Sequence, residues 1–432
     1  MNPQDLHSTP NALADHYSRF RVGERLLLTG HSHQAWPDRA LEGQIQAWKD
    51  AAEEVDEKWE KAFEEAARVR QGFARLLGDD PSNLALGQSV HDLLVRVLSA
   101  LPLRQRPRIV TTAGEFHSVR RQLDRLEEEG VEVVRVPTHP VEDLAEGVEA
   151  ALDDRTAAAV VSSVLFENAR IVPGLDRMAA ACRRHGARFL VDAYHHLNVV
   201  PFSIQDSDLE DAFVVGGGYK YCQLGEGNCF LRFPPEPALR PVITGWFAEF
   251  GVVVDGEGQG GGAKAEDGSP GPRNGTGSGG TGSEKSEREG EGRNDKGRRR
   301  VRYGAGPSRF AGATYDPTSH YRAARVFAFF HEMGLDPGLL RKVSQHQIGR
   351  LARAFDGLDP DPTVIDRDRD QPLEETAGFL SLKTSRADEL TRRLRGLGVR
   401  ADFRGDRLRL GPAPYLSDAQ LDEAVEALGE CF

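Results

Sequence analysis

Two neighbouring stretches, LVDAYHHLN (190–198) and VVGGGYKYCQLGEGNCFLRF (214–233), decide how this chain is read. In the first, an apolar run closes on Asp192; in the second, a run closes on three glycines and is followed by Lys220. The acid and the lysine stand 28 positions apart, about one strand and its connection. A carboxylate at the end of an apolar strand is costly to bury without a cationic partner. An acid and a lysine so placed are what pyridoxal phosphate (PLP) requires. The lysine amine holds the cofactor aldehyde as a Schiff base, and the carboxylate keeps the pyridine nitrogen protonated. Taken alone, Gly216–Gly218 equally fit a plain strand end, so the weight comes from what lies on either side.

On both sides the chain alternates. Short β-rich runs (NLALG, RIVTT, VEVVRVP, AAAVVSSV, ARFLVD, DAFVVGG, NCFLRF) are separated by helical stretches such as SVRRQLDRLEEEG and LDRMAAACRRHG. That alternation predicts an α/β fold with a mostly parallel sheet between helices. Ligands of such sheets bind where the carboxyl ends of the strands open into loops. Before it, apolar residues at three- and four-residue spacing (Leu41, Ile45, Trp48, then Trp59, Phe63, Val69, Phe73) predict a long amphipathic helical region over about 38–77. Residues 251–300 are Gly/Ser-rich and charged, with almost nothing to bury, and read as a disordered insertion. The C-terminal part reads as small α+β structure. The expected division is an N-terminal segment 1–50, a large domain 51–320 carrying the insertion, and a small domain 321–432 completed by the N-terminal segment.

Composition narrows the function classes. A formal net charge of −12 argues against nucleic acid and anionic membrane as partners. No apolar stretch approaches the roughly 18–20 residues of a membrane span, and no secretory pattern opens the chain. Four scattered cysteines fit reduced thiols rather than a disulfide framework, so a cytoplasmic location is expected.

Further residues could carry chemistry. GQSVHDLL (87–94) places Gln88 and Ser89 between a strand and a helix, where free N–H groups suit a phosphate; Ser89 is equally an ordinary N-cap. In GEFHS (114–118), Phe116 could stack on a planar ring or simply cover the core. Asn168 in ENAR sits at another strand's carboxyl end. The histidine pairs His31/His33 and His195/His196 lack diagnostic metal spacing, so no metal is expected; His31 and His33 are better placed to line a substrate mouth.

In order, GQS, EFHS, VDAYHHLN, GGYKY, GWF, RFAGAT and RLRLGPAPY resemble fold-type I PLP enzymes of the class V aminotransferase superfamily, and kynureninase above all. The resemblance covers most of the chain outside 251–300. It implies a seven-stranded, mostly parallel sheet and a homodimer with active sites at the subunit interface. Lys220 would be the Schiff-base lysine and proton carrier, with Asp192 on the pyridine nitrogen and His195 near the ring hydroxyl or phosphate. Phe116 would stack on the ring, and Gln88, Ser89 and Tyr219 would hold the phosphate. Trp246 and Thr314 would support it, from across the dimer. Arg409 would clamp the substrate α-carboxylate. The implied reaction is hydrolysis of the β–γ carbon bond of kynurenine or a related amino acid, as in tryptophan catabolism and NAD biosynthesis; the alternative is amino-group transfer to a keto acid on the same scaffold.

The departures fall on the substrate side. GHSHQ (30–34) stands where the family carries G-N-S-L-G, and Tyr194 replaces the common alanine under the ring. Thr314 stands at or near a family asparagine, and the histidine after G-W-x-G is missing.

Overall fold

The computed structural model describes residues 1–235, 239–250 and 301–432. The expected insertion 251–300 lies outside the described residues.

The chain opens with α1 (Pro3–His7), β1 (Leu26–Leu27), α2 (Arg39–Glu54) and α3 (Lys58–Leu77). It then alternates through β2 (Leu84–Gly87), α4 (Val90–Ser99), β3 (Arg108–Thr112), α5 (His117–Glu128), β4 (Glu132–Val136), α6 (Leu144–Ala151), β5 (Thr156–Ser162), α7 (Leu175–Arg184) and β6 (Arg188–Asp192). Two strands follow without a helix between them, β7 (Phe213–Gly217) and β8 (Cys229–Arg232). The remainder holds α8 (Thr318–Glu332), α9 (Pro337–Gly357), β9 (Asp366–Arg367), β10 (Leu380–Lys383), α10 (Ala387–Gly396), β11 (Val399–Arg400), β12 (Asp402–Arg404), β13 (Arg407–Leu410) and α11 (Asp418–Gly429).

Seven strands form one sheet in the order β2-β8-β7-β6-β5-β3-β4. Every neighbouring pair from β7 to β4 is parallel, while β8 runs antiparallel to both β7 and β2. Consecutive residues enter different apolar clusters: Val110, Val191 and Val214 join one, Ile109, Leu190 and Val215 the other. Burial on both faces is why these strands read as continuous apolar runs rather than alternating ones. A second sheet of four antiparallel strands, β12-β13-β10-β9, lies in the C-terminal part. β1 pairs in parallel with β11, and Thr29 bridges Gly411, tying the N-terminal segment to that part.

The single helical region expected over 38–77 is two helices. They break at Val55, whose φ of 49° ends α2. Both halves instead pack on α8, each through a glycine. A Cβ at Gly43 would lie 2.4 Å from the Tyr321 carbonyl oxygen, and one at Gly72 2.3 Å from the Phe327 ring. So close an approach admits only small residues, and the buried face of α2 is Ala40, Gly43, Ala47 and Asp50. Leu41, Ile45 and Trp48, expected on the core side, point outward, with Trp48 80% exposed.

Candidate active site

β6 and β7 lie side by side with Asp192 opposite Val215, so the acid and the lysine beyond Gly217 leave the sheet at the same end. The glycine run has a packing cause. A Cβ at Gly217 would lie 2.5 Å from the Tyr194 hydroxyl, and one at Gly218 2.5 Å from Leu224. The turn behind Lys220 is closed by Gly218 N–H to the Asn228 carbonyl (2.8 Å) and Leu224 N–H to the Gly218 carbonyl (2.8 Å).

Lys220 is buried, and its Nζ lies 2.7 Å from His195 Nε2. Three rings surround the amine, with centroids at 4.7 Å (Tyr194), 5.4 Å (Phe116) and 5.9 Å (Tyr219). Burial lowers the Lys220 amine to about 7, against an upward pull from Asp192. Burial likewise holds His195 well below its ordinary value, with Lys220 adding to the effect, so its ring is neutral. His195 Nδ1 is buried without a hydrogen-bond partner. Asp192 is raised by burial, although it accepts the Tyr194 N–H at 2.9 Å and feels Lys220. The desolvated amine, neutral imidazole and carboxylate thus form one electrostatically coupled group walled by aromatic rings.

At the start of α4, Ser89 Oγ accepts the Asp92 N–H at 3.1 Å, so the N-cap reading of Ser89 is met. Gln88 is exposed beside the β7–β8 connection, its Oε1 3.2 Å from where a Gly227 Cβ would be. His33 is exposed, stacks on Tyr219 with centroids 4.8 Å apart, and lies 3.7 Å from Glu226. Asn168 is buried and accepts the Arg170 N–H at 3.1 Å. Trp246 and Thr314 are exposed and bond each other, indole N–H to Oγ1 at 3.2 Å, away from the Lys220 group.

Two expectations change. His31 lines no mouth: it is wholly buried, with Nε2 2.7 Å from Asp402 Oδ1. Burial lowers its pKa to about 4, so it is neutral. Arg409, expected to hold its fork open for a substrate carboxylate, is committed within the chain. Its Nε and Nη2 donate to the two Asp402 oxygens at 3.0 and 2.8 Å, and Nη1 donates to the Phe166 carbonyl at 2.8 Å. Burial pushes Asp402 up, but His31 and Arg409 outweigh it and hold the carboxyl well below the usual range.

Three neighbours were not singled out from sequence. Asp402 is one of two acids in GVRADFRGDRLRL, and nothing local marks its partners. Tyr194 was noted only as a departure; it forms a wall of the lysine pocket. Glu115 stands inside the quoted GEFHS stretch, buried between Thr112 Oγ1 (2.6 Å), Ser162 Oγ (2.6 Å) and Ser162 N–H (3.0 Å). Burial raises it to about 7, and Asp192 adds to the shift. Among the described residues, no cluster of three or more His, Cys, Asp or Glu could hold a metal ion, and no helix is long and apolar enough to cross a membrane.

No protein-family model matches the chain. It is 27% identical over 205 residues to an uncharacterised aminotransferase of Bacillus subtilis, covering 47% of this chain and 54% of that protein. It is 26% identical over 198 residues to the cysteine desulfurase IscS of Rickettsia akari, covering 45% and 47%. Against isopenicillin N epimerase of Streptomyces clavuligerus the figures are 27% over 190 residues, covering 42% and 47%. The chain thus spans about half the length of the curated relatives it matches. Solved structures match along nearly the whole chain. C-DES with glycine covalently linked to its PLP cofactor superposes with a TM-score of 0.75 at 15% identity, covering 96% of this chain and 98% of that one. The cysteine desulfurase CsdA of Escherichia coli gives 0.69 at 15% identity, covering 100% and 98%. The chain therefore has the α/β fold of the C-DES and cysteine desulfurase structures, built on a mostly parallel seven-stranded sheet.

Proposed function

We propose that this chain is a PLP-dependent enzyme acting on a small amino acid, and that amino-group transfer to a keto acid is its reaction. The observation that carries the reading is the Lys220–His195–Asp192 group inside its aromatic walls. The residues fit the cofactor. An amine lowered to about 7 is available as a nucleophile near neutral pH, and Lys220 has no carboxylate within ion-pair reach. His195 Nδ1 and the desolvated Asp192 both want a polar partner that the described chain does not supply.

In this reading Lys220 would hold the cofactor aldehyde and Asp192 the pyridine nitrogen. Phe116 would cover the ring, with His195 beside the ring hydroxyl. Gln88, Ser89 and Tyr219 would take the phosphate. Trp246 and Thr314, paired at the surface, are offered to a second subunit of a homodimer. Residues 51–320 would form the cofactor-binding body, with 1–50 and 321–432 as the smaller unit. When bound, PLP supplies an electron sink that loosens the bonds at the substrate α-carbon. Lys220 carries the α-proton, and neutral His195 holds the amine in position for that transfer. The aromatic walls keep water from the amine.

The relatives favour amino transfer over β–γ hydrolysis of a kynurenine-like substrate, because they include an aminotransferase among desulfurases and an epimerase. Desulfuration is disfavoured by the chain itself: its four cysteines are all buried, and burial raises the thiols of Cys182 and Cys229 to about 12.

Purified protein saturated with PLP should be yellow, and borohydride should fix the cofactor to Lys220. Lys220→Ala should lose that attachment and roughly 10²–10⁴-fold in turnover. A panel of amino donors with keto acids should return new amino and keto acids. Alanine and an anthranilate formed from kynurenine without a keto acid would replace amino transfer by hydrolysis. A protein that takes up no PLP would overturn both.

A further inference from the structure

Away from Lys220 the fold holds a cavity of about 160 Å³ between α3, α4 and the segment 307–315. Arg70 from α3 and Arg96 from α4 line it, with Gln88, Asp92, Tyr315 and His320. Lys220, Asp192, His195, Phe116 and Tyr219 do not.

The arginines are the unusual part. The fully buried arginines of this chain are satisfied internally, Arg232 by Asp79 and three carbonyls, Arg322 by the carbonyls of Leu224 and Glu226, whereas Arg70 and Arg96 are half-buried. Among the described residues, neither Arg70 nor Arg96 makes a side-chain hydrogen bond or ion pair, and Arg96 Nε is buried without a partner. Arg70 faces neutral groups. His320 is spanned by the Tyr315 hydroxyl (2.8 Å) and Asn228 Oδ1 (3.2 Å), and burial, with Arg70 next, lowers it to about 4. Arg96 lies against bare backbone: a Cβ at Gly312 would come 2.4 Å from its Nη2. Asp92 is the one acid on the wall; exposed and one helical turn from Arg96, it pulls that guanidinium upward against burial without reaching ion-pair contact. Guanidinium groups stay charged at neutral pH even when burial lowers them. Two such charges facing one cavity call for an anion, and their planar forks match an oxoanion.

We propose that this cavity is a second anion site, taking the phosphate or carboxylate group of a small molecule on Arg70 and Arg96, which shares with the residues assigned to the cofactor phosphate only Gln88 on its rim. The site adds to the reading above and does not rest on it.

The test uses the full chain, pre-saturated with PLP and freed of excess, at constant ionic strength in chloride. Inorganic phosphate and succinate are titrated separately by calorimetry and thermal unfolding, which distinguishes the two sources of the oxoanion. One of them should bind at a single saturable site and raise Tm. Arg96→Lys, which keeps the charge and loses the fork, should weaken binding roughly tenfold, and Arg70→Met/Arg96→Met should abolish it with cofactor absorbance unchanged. Should the double variant not fold, Arg96→Lys decides. The proposal fails if neither ion binds beyond chloride or if Arg96→Lys binds as tightly as the parent chain. Release of PLP by the bound ion would also overturn it, since the cavity would then be the cofactor's own phosphate end.

Discussion

Arg409 and the pair Arg70/Arg96 carry the same charge in partly buried surroundings, and their circumstances are opposite. Arg409 spends three of its five N–H donors inside the chain, on Asp402 and the Phe166 carbonyl, and His31 shares the Asp402 oxygen that its Nε uses. Arg70 and Arg96 face a cavity with no acid in contact. A guanidinium's availability to a ligand is therefore set by what its neighbours already accept from it, and Arg409, the more obvious candidate by position, is the less available.

The largest effect should come from the satisfied cluster. Asp402→Ala leaves a buried, uncompensated Arg409 and should cost about 3–5 kcal/mol in urea unfolding, while Asp402→Leu/Arg409→Met should recover most of it. If Asp402→Ala costs less than about 1 kcal/mol, Arg409 finds another partner and the contrast dissolves.

Next comes Lys220, whose amine meets a neutral imidazole and feels Asp192 only at a distance. Its folded pKa, about 7, lies below its ordinary value of 10.5. Below about 7 both folded and unfolded chains hold the proton, and the burial cost is constant. Between about 7 and 10.5 only the unfolded chain holds it, so stability rises with pH across that window. In the cofactor-free protein, parent minus Lys220→Met should show this rise; a flat difference would mean the amine is better solvated than the structure indicates.

The smallest effect tests the other arm. In anion-free buffer Arg70→Met/Arg96→Met should stabilise the fold, by at most on the order of 1 kcal/mol, because two half-buried charges that make no hydrogen bond leave the cavity wall. A loss of stability would show that the two arginines are satisfied in solution, as Arg409 is.

Much of the fold was legible because local pattern and global burial agree here. Seven β-rich runs became seven strands of one sheet, since strands covered on both faces read as mostly apolar runs, as β5 to β8 do. The Lys220 and Asp192 positions were legible for a related reason, each standing where an apolar run stops. What stayed hidden depends on contacts between distant residues. The α2–α3 break answers to α8, whose contacts with Gly43 and Gly72 lie 278 and 255 positions later, and no periodicity announces it. His31 looked like a polar loop residue because its partner, Asp402, is 371 positions away. Arg409 looked free for the same reason; its fork is closed by an acid on the neighbouring strand and a carbonyl 243 positions upstream.

The pairing of β1 with β11, and of Thr29 with Gly411, has a consequence for biosynthesis. Leu26 emerges from the ribosome well before its partner strand, which begins 373 positions later at Val399. Until β11 is made this apolar segment waits for a complement, and chaperones that bind extended apolar segments should find it there. The His31–Asp402–Arg409 cluster therefore cannot close until a strand 371 positions after His31 has been made.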